Sequence, residues 1–208
     1  MTTSLTDVVL AVECLLAVTY LLRQPTVDRW RRHLWCGVFC ILGIACVLGA
    51  VAHGFAWPET TLAALWKPLY LCLGLVVALF LPGAICDWRG VATAIRFLPW
   101  SLVLGFAFFG LTQVMDNGFL LFIGYEAVFM IAALVIYSFL AAKKRLKGAA
   151  ILAIAILLNL VAAGVQASNL SLTIGVPFDH NGLFHLVQMI AVVTLVIGVR
   201  AGLRPLET

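Results

Sequence analysis

The stretch Phe178-Asp179-His180-Asn181-Gly182-Leu183-Phe184-His185-Leu186-Val187-Gln188 sets imidazole, amide and carboxylate groups into sequence that is otherwise apolar. Asn181, His185 and Gln188 fall at i, i+4 and i+7, a single helical face, and Asp179 or His180 stands at the boundary where an N-cap is wanted. His180 and His185 are five apart and share a face only if His180 still belongs to the preceding loop. Imidazoles placed in this way can ligate a metal, carry a proton or hydrogen-bond a bound molecule.

Other polar residues recur at matching depth. Glu13 lies in the middle of the first apolar run, where a carboxyl has to be paired or neutral. The second run ends in Ala45, Gly49 and His53, four apart on one face, and the small residues there permit close helix approach. The third begins at Trp66-Lys67-Pro68, with Pro68 suited to a first helical turn and Tyr70 one turn deeper than Lys67. The fourth ends at Gln113 and Asp116, the fifth carries Tyr125 and Glu126, and the sixth holds Asn159 and Gln166, two turns apart. Several of these have plain structural readings. Lys67 can snorkel, Asp179 can cap, and Asn159 and Gln166 can act as interhelical glue worth ~0.6 kcal/mol each. Their shared depth nevertheless predicts one polar pocket, drawn from His53, Lys67, Asp116, Glu126, Asn181, His185 and Gln188.

The elements that must position these groups follow from composition. With 64% hydrophobic and 11% charged residues and a mean hydropathy of +1.12, the chain is no ordinary soluble domain. Apolar runs long enough to cross ~30 Å of hydrocarbon fall near 5–22, 33–56, 63–86, 92–114, 118–141, 148–168 and 181–200. The expected fold is therefore an all-α polytopic bundle of seven transmembrane helices, one domain over 1–208, with short connections and sequential neighbours packed antiparallel.

Arg23, Arg29, Arg31 and Arg32, then Arg89 and Arg96, then Lys143, Lys144, Arg145 and Lys147, and finally Arg200 and Arg204 occupy alternate connections and the tail. Asp7, Glu59, Asp116 and Asp179 occupy the others. The positive-inside rule then puts the N-terminus outside and the C-terminus in the cytoplasm. The expected location is a bacterial inner (plasma) membrane. The net charge of +4 is a topology signal, and no nucleic-acid partner is expected. Trp57 and Trp66 read as one interfacial belt, Trp30, Trp35 and Trp88 as the other, and Trp100 as a packed residue. The cysteines lie in helices or near the inner face, which does not suggest a disulfide framework, and Cys36 and Cys40 read as small apolar residues.

Seven helices with the N-terminus outside, Glu13 in the first, Gly49-x-x-x-His53 in the second and a histidine-bearing start to the last resemble the alkaline ceramidase and progestin-receptor-like (CREST) superfamily. Gly49 stands where that family has a serine, Asn181 where its HxxxH pattern has the first histidine, and Lys67 in the third helix where an aspartate is expected. The resemblance implies zinc held by His53 and His185, with His180 as third ligand, and a bound water that attacks a lipid amide or ester. Glu126 and Asp116 are then candidate bases, with Asn181, Gln188, Lys67 and Glu13 around the bound molecule. The alternative is a non-catalytic bundle that binds or senses a small ligand or lipid. A second alternative is haem held by His53 and His185, or proton coupling through Glu13 and Glu126. The last helix has no lysine for a retinal Schiff base. Partners, in either case, are a membrane lipid or small molecule, and the oligomeric state is left open.

Overall fold

The structure, a computed structural model, describes residues 2–26 and 28–203; Arg204 of the expected basic tail lies outside the described residues. Its helices are α1 (Thr2–Leu22), α2 (Arg29–Gly54), α3 (Glu59–Arg89), α4 (Val91–Thr112), α5 (Gly118–Ala142), α6 (Ala149–Gln166) and α7 (His180–Gly202), with β1 (Leu172–Ile174) and β2 (Val176–Phe178) before α7. All seven helices are long and apolar enough to cross a membrane, so the protein is an all-α, seven-helix integral membrane bundle.

Local chemistry sets the helix ends. Asp28 accepts a hydrogen bond from the Arg31 N–H, Asn117 from Leu120 and Asp179 from Gly182, each satisfying an otherwise orphaned first-turn donor. The expected cap at Asp179 is thus present. Gly90, at φ 87°, is the whole link between α3 and α4, and only glycine adopts that backbone without strain. α3 starts earlier than expected, at Glu59, whose carboxylate suits the positive end of the helix dipole. Pro68 therefore lies inside the helix and not in its first turn.

The helices close into a ring in the order α1, α2, α3, α5, α6, α7, sealed by α1 against α7. α4 stands outside it, packed mainly on α3, so strict sequential neighbour packing fails at this one element. Its stripe of Ala94, Ser101, Gly105 and Phe108 meets α3, where the Ser101 hydroxyl donates to the Ala78 carbonyl at 2.6 Å. A Cβ at Gly105 would stand 2.9 Å from that of Ala78. Trp100, about 100° around the helix from Ser101, is 70% exposed on the outward side and is not a packing residue.

Trp35 corrects a second expectation. It is fully buried two turns into α2, edge-on to Phe80 with ring centroids 5.0 Å apart, and Gly83 leaves the room it occupies. Beside it a charged knot ties four helices together. Arg31 pairs with Asp87, Tyr137 Oη donates to Asp87 Oδ2 at 2.8 Å, and the Arg31 guanidinium also donates to the Gly202 carbonyl. Both charges are buried, so removal of either partner strands the other at a cost of about 3–5 kcal/mol.

The hairpin between α6 and α7 was not expected. β1 and β2 pair antiparallel with Leu172 opposite Phe178 and Ile174 opposite Val176, turning at Gly175 with φ 73°. Two hydroxyls of α1 stitch this region down: Thr2 donates to the Pro177 carbonyl and Thr3 to Asp179 Oδ1, both at 3.0 Å.

Candidate functional site: a cavity with a polar end

The ring encloses a cavity of about 140 Å³. Its deeper wall is aliphatic and aromatic, supplied by residues such as Val77, Phe80, Met130, Ile156 and Leu195. Towards the end where α1 begins the wall turns polar, with Asp7 from α1, His53 from α2, Glu126 from α5, Asn159 and Gln166 from α6, and His185 and Gln188 from α7. α4 contributes nothing, as its place outside the ring requires.

The centre of the polar end is a three-residue chain. The Thr6 hydroxyl donates to the Thr3 carbonyl at 2.8 Å, as a serine or threonine in a helix commonly does, so its oxygen is left to accept from His185 Nδ1, also at 2.8 Å. The other ring nitrogen, Nε2, lies 3.3 Å from Asp7 Oδ1. With Nδ1 acting as donor, Nε2 is left facing the Asp7 carboxyl. Thr6 thereby fixes the imidazole's tautomer and orientation. Asp7 Oδ2, in contrast, is buried with no hydrogen-bond partner among the described residues, and the same holds for Gln188 Oε1.

Nearby pairs are satisfied within the protein. Asn159 Nδ2 donates to Glu126 Oε1 at 3.0 Å, and Gln166 Nε2 to Asn181 Oδ1 at 3.4 Å, so the expected glue has partners. His53 sits edge-on to Trp66, ring centroids 5.9 Å apart. At the surface above, burial alone would lift the Asp179 carboxyl, but the Gly182 N–H, the Thr3 hydroxyl and the His180 and His53 rings together hold it below its ordinary range.

Of the polar residues singled out in the sequence, His53, Glu126, Asn159, Gln166, His185 and Gln188 line the cavity. The other candidate site residues do not. Asp116 is exposed in the α4–α5 connection, and Lys67 is exposed on α3 because the cavity-facing stripe there runs through Trp66, Leu69 and Leu73. His180 and Asn181 belong to the first turn of α7 and lie off the wall. Glu13 is half-buried on the flank of α1, beside a stripe formed by Leu10, Cys14 and Ala17.

Sequence reasoning missed Asp7 and Thr6, treating Asp7 as a boundary charge. The signal was there: Thr3, Asp7, Leu10, Cys14, Ala17 and Leu21 recur at three- and four-residue intervals, which puts Asp7 on the buried stripe.

The three histidines expected to hold zinc form no metal-binding group among the described residues. His185 Nδ1 is hydrogen-bonded to the Thr6 hydroxyl, and Nε2 lies 3.3 Å from Asp7 Oδ1. His180, as the first residue of α7, lies about 140° around the helix from His185. Among the described residues no group of three or more His, Cys, Asp or Glu is disposed to hold a metal ion.

Fold and site together define a seven-helix membrane bundle built around an internal cavity that is polar at one end. The chain belongs to the family of unknown function DUF6962, whose model matches residues 2–204. No curated protein and no solved structure matches it.

Proposed function

We propose that this protein binds a small, largely apolar molecule bearing one polar group, inside the bundle, as a carrier or sensor of such a molecule. The observation that carries this reading is the pairing of a largely apolar wall with two buried acceptors, Asp7 Oδ2 and Gln188 Oε1, that no described residue satisfies. Buried polar atoms in native structures nearly always have partners, and an unpaired one costs about 1–3 kcal/mol. A bound molecule would supply the missing partner.

The cavity volume fits that role. An engineered cavity of about 150 Å³ in another protein accommodates benzene, so ~140 Å³ holds a ligand of that order. The lipid amide or ester hydrolase reading draws less support. It needs an activated hydroxyl or a metal-bound water on the wall, whereas the Thr6 hydroxyl donates to backbone and lies off the wall.

Thermal unfolding of the detergent-purified protein with a panel of small apolar molecules tests the reading. A ligand at a hundred times its Kd adds about 2.7 kcal/mol of stability. Ala155→Phe, which fills the cavity from α6, should remove the stabilisation while the protein stays folded. If no apolar molecule raises the midpoint, and extraction of the purified protein releases none, the reading is wrong.

A further inference from the structure

We propose that the ligand is a small apolar primary amine, held as its ammonium ion by Asp7 Oδ2 and Gln188 Oε1; this rests on the binding reading above and names its ligand class.

The wall carries two carboxyl groups, Asp7 and Glu126, beside the imidazoles of His53 and His185, and among the described residues no lysine or arginine lines it to meet an anion. The one basic residue that the sequence placed nearby, Lys67, is exposed and off the wall. The Asp7 side chain is only 6% exposed, and its Oδ2 is buried with no hydrogen-bond partner among the described residues. Gln188 follows His185 by three residues on α7, which brings its free Oε1 to the same face as the imidazole that orients Asp7.

Both unmatched atoms are acceptors, so the missing group must donate. A hydroxyl offers one proton and can satisfy one of them; an ammonium offers three and can satisfy both while placing its charge against a carboxylate. The surrounding rings point the same way. Trp66, Phe119, Phe122 and Phe184 line the cavity, and aromatic faces stabilise a cation that has left water. Below the polar end the aliphatic wall accepts the rest of the molecule, a ring or a short alkyl chain.

Calorimetric titration of the full chain in detergent with benzylamine, benzyl alcohol and toluene at neutral pH separates the possibilities, because the three share one skeleton. We expect benzylamine to bind at least tenfold more tightly than the other two. Asp7→Asn should lower benzylamine affinity tenfold or more and leave toluene affinity unchanged, and Gln188→Leu should act in the same direction. If benzyl alcohol or toluene binds as well as benzylamine, the amine assignment is overturned and the binding reading stands. If none of the three binds, both fall. Should Asp7→Asn fail to fold, the ranking of the three ligands on the native chain, together with Gln188→Leu, decides for or against the amine.

Discussion

The carboxylate of Asp7 lies flat against the backbone of Gly49, so close that a Cβ at position 49 would stand 2.8 Å from Oδ1 and 3.1 Å from Oδ2. No side chain except hydrogen leaves room for this carboxylate while it reaches His185. Gly49 is thus a seat for an acid contributed by another helix.

Gly49→Ala should accordingly push Asp7 out of register with His185. We expect a loss of about 1–3 kcal/mol in stability from overpacking. Any ligand-induced rise in the unfolding midpoint should vanish with it. Gly49→Ser should behave alike, and a serine variant of unchanged stability and binding would contradict the close contact.

At the opposite end of the bundle, Asp87→Ala leaves the Arg31 guanidinium buried and unpaired, and should cost about 3–5 kcal/mol. Replacement of both residues together, Arg31→Met with Asp87→Leu, should recover most of that loss. Tyr137→Phe removes only the hydroxyl donated to Asp87 and should cost about 1 kcal/mol. Denaturant unfolding of the native chain, Arg31→Met, Asp87→Leu and the double variant gives the coupling energy directly.

Asp179 makes stability depend on pH in the acid range. Its carboxyl is held below the ordinary 3.8, so folding binds it in the ionised form. That contribution is fully present above about pH 4 and is lost as pH falls through the folded-state value. Asp179→Asn retains a capping side chain but not the charge, so it should flatten this acid limb by lowering stability at neutral pH while matching the native chain at low pH; Asp179→Ala should cost about 0.5–2 kcal/mol at neutral pH. Unfolding midpoints between pH 3 and 7 distinguish the three proteins.

Gly148, at φ 82°, lies where a Cβ would come within 2.6 Å of the Gly198 carbonyl oxygen. Gly148→Ala meets both a backbone penalty and a clash between α6 and α7, so it should destabilise the protein by more than about 1 kcal/mol. Gly110→Ala, at a glycine with open space around it, is the matched control and should change little. Thermal unfolding of the two side by side checks the contrast.

Much of the fold was legible because hydropathy and helix length are local properties: each expected span falls within a few residues of a helix, with α2 starting early at Arg29 and α3 at Glu59. The place of α4 was not legible. It is apolar on every side, so nothing in its pattern says that one face meets α3 and the rest faces outward. The site was half legible. His53, His185, Gln188 and Glu126 stood out as polar residues deep in apolar runs, and they do converge. Asp116 and Lys67 shared their approximate depth but not their direction, since depth along a helix does not fix rotation about it. Asp7 escaped because an acid near the start of a span resembles an ordinary boundary charge until the buried stripe beneath it is counted.

The joint between α1 and α7 has a consequence in time. Thr6 and His185 are separated by 179 positions. At synthesis rates of about 5–20 residues per second, that interval is on the order of ten seconds or more. Through it the first helix carries an acid into the bilayer before its histidine partner has been made, and the cavity has no closed wall until the final helix arrives. The Asp7–His185 contact therefore reports that the ring is complete, and a chain interrupted before α7 would retain a carboxyl group in lipid as a mark of its unfinished state.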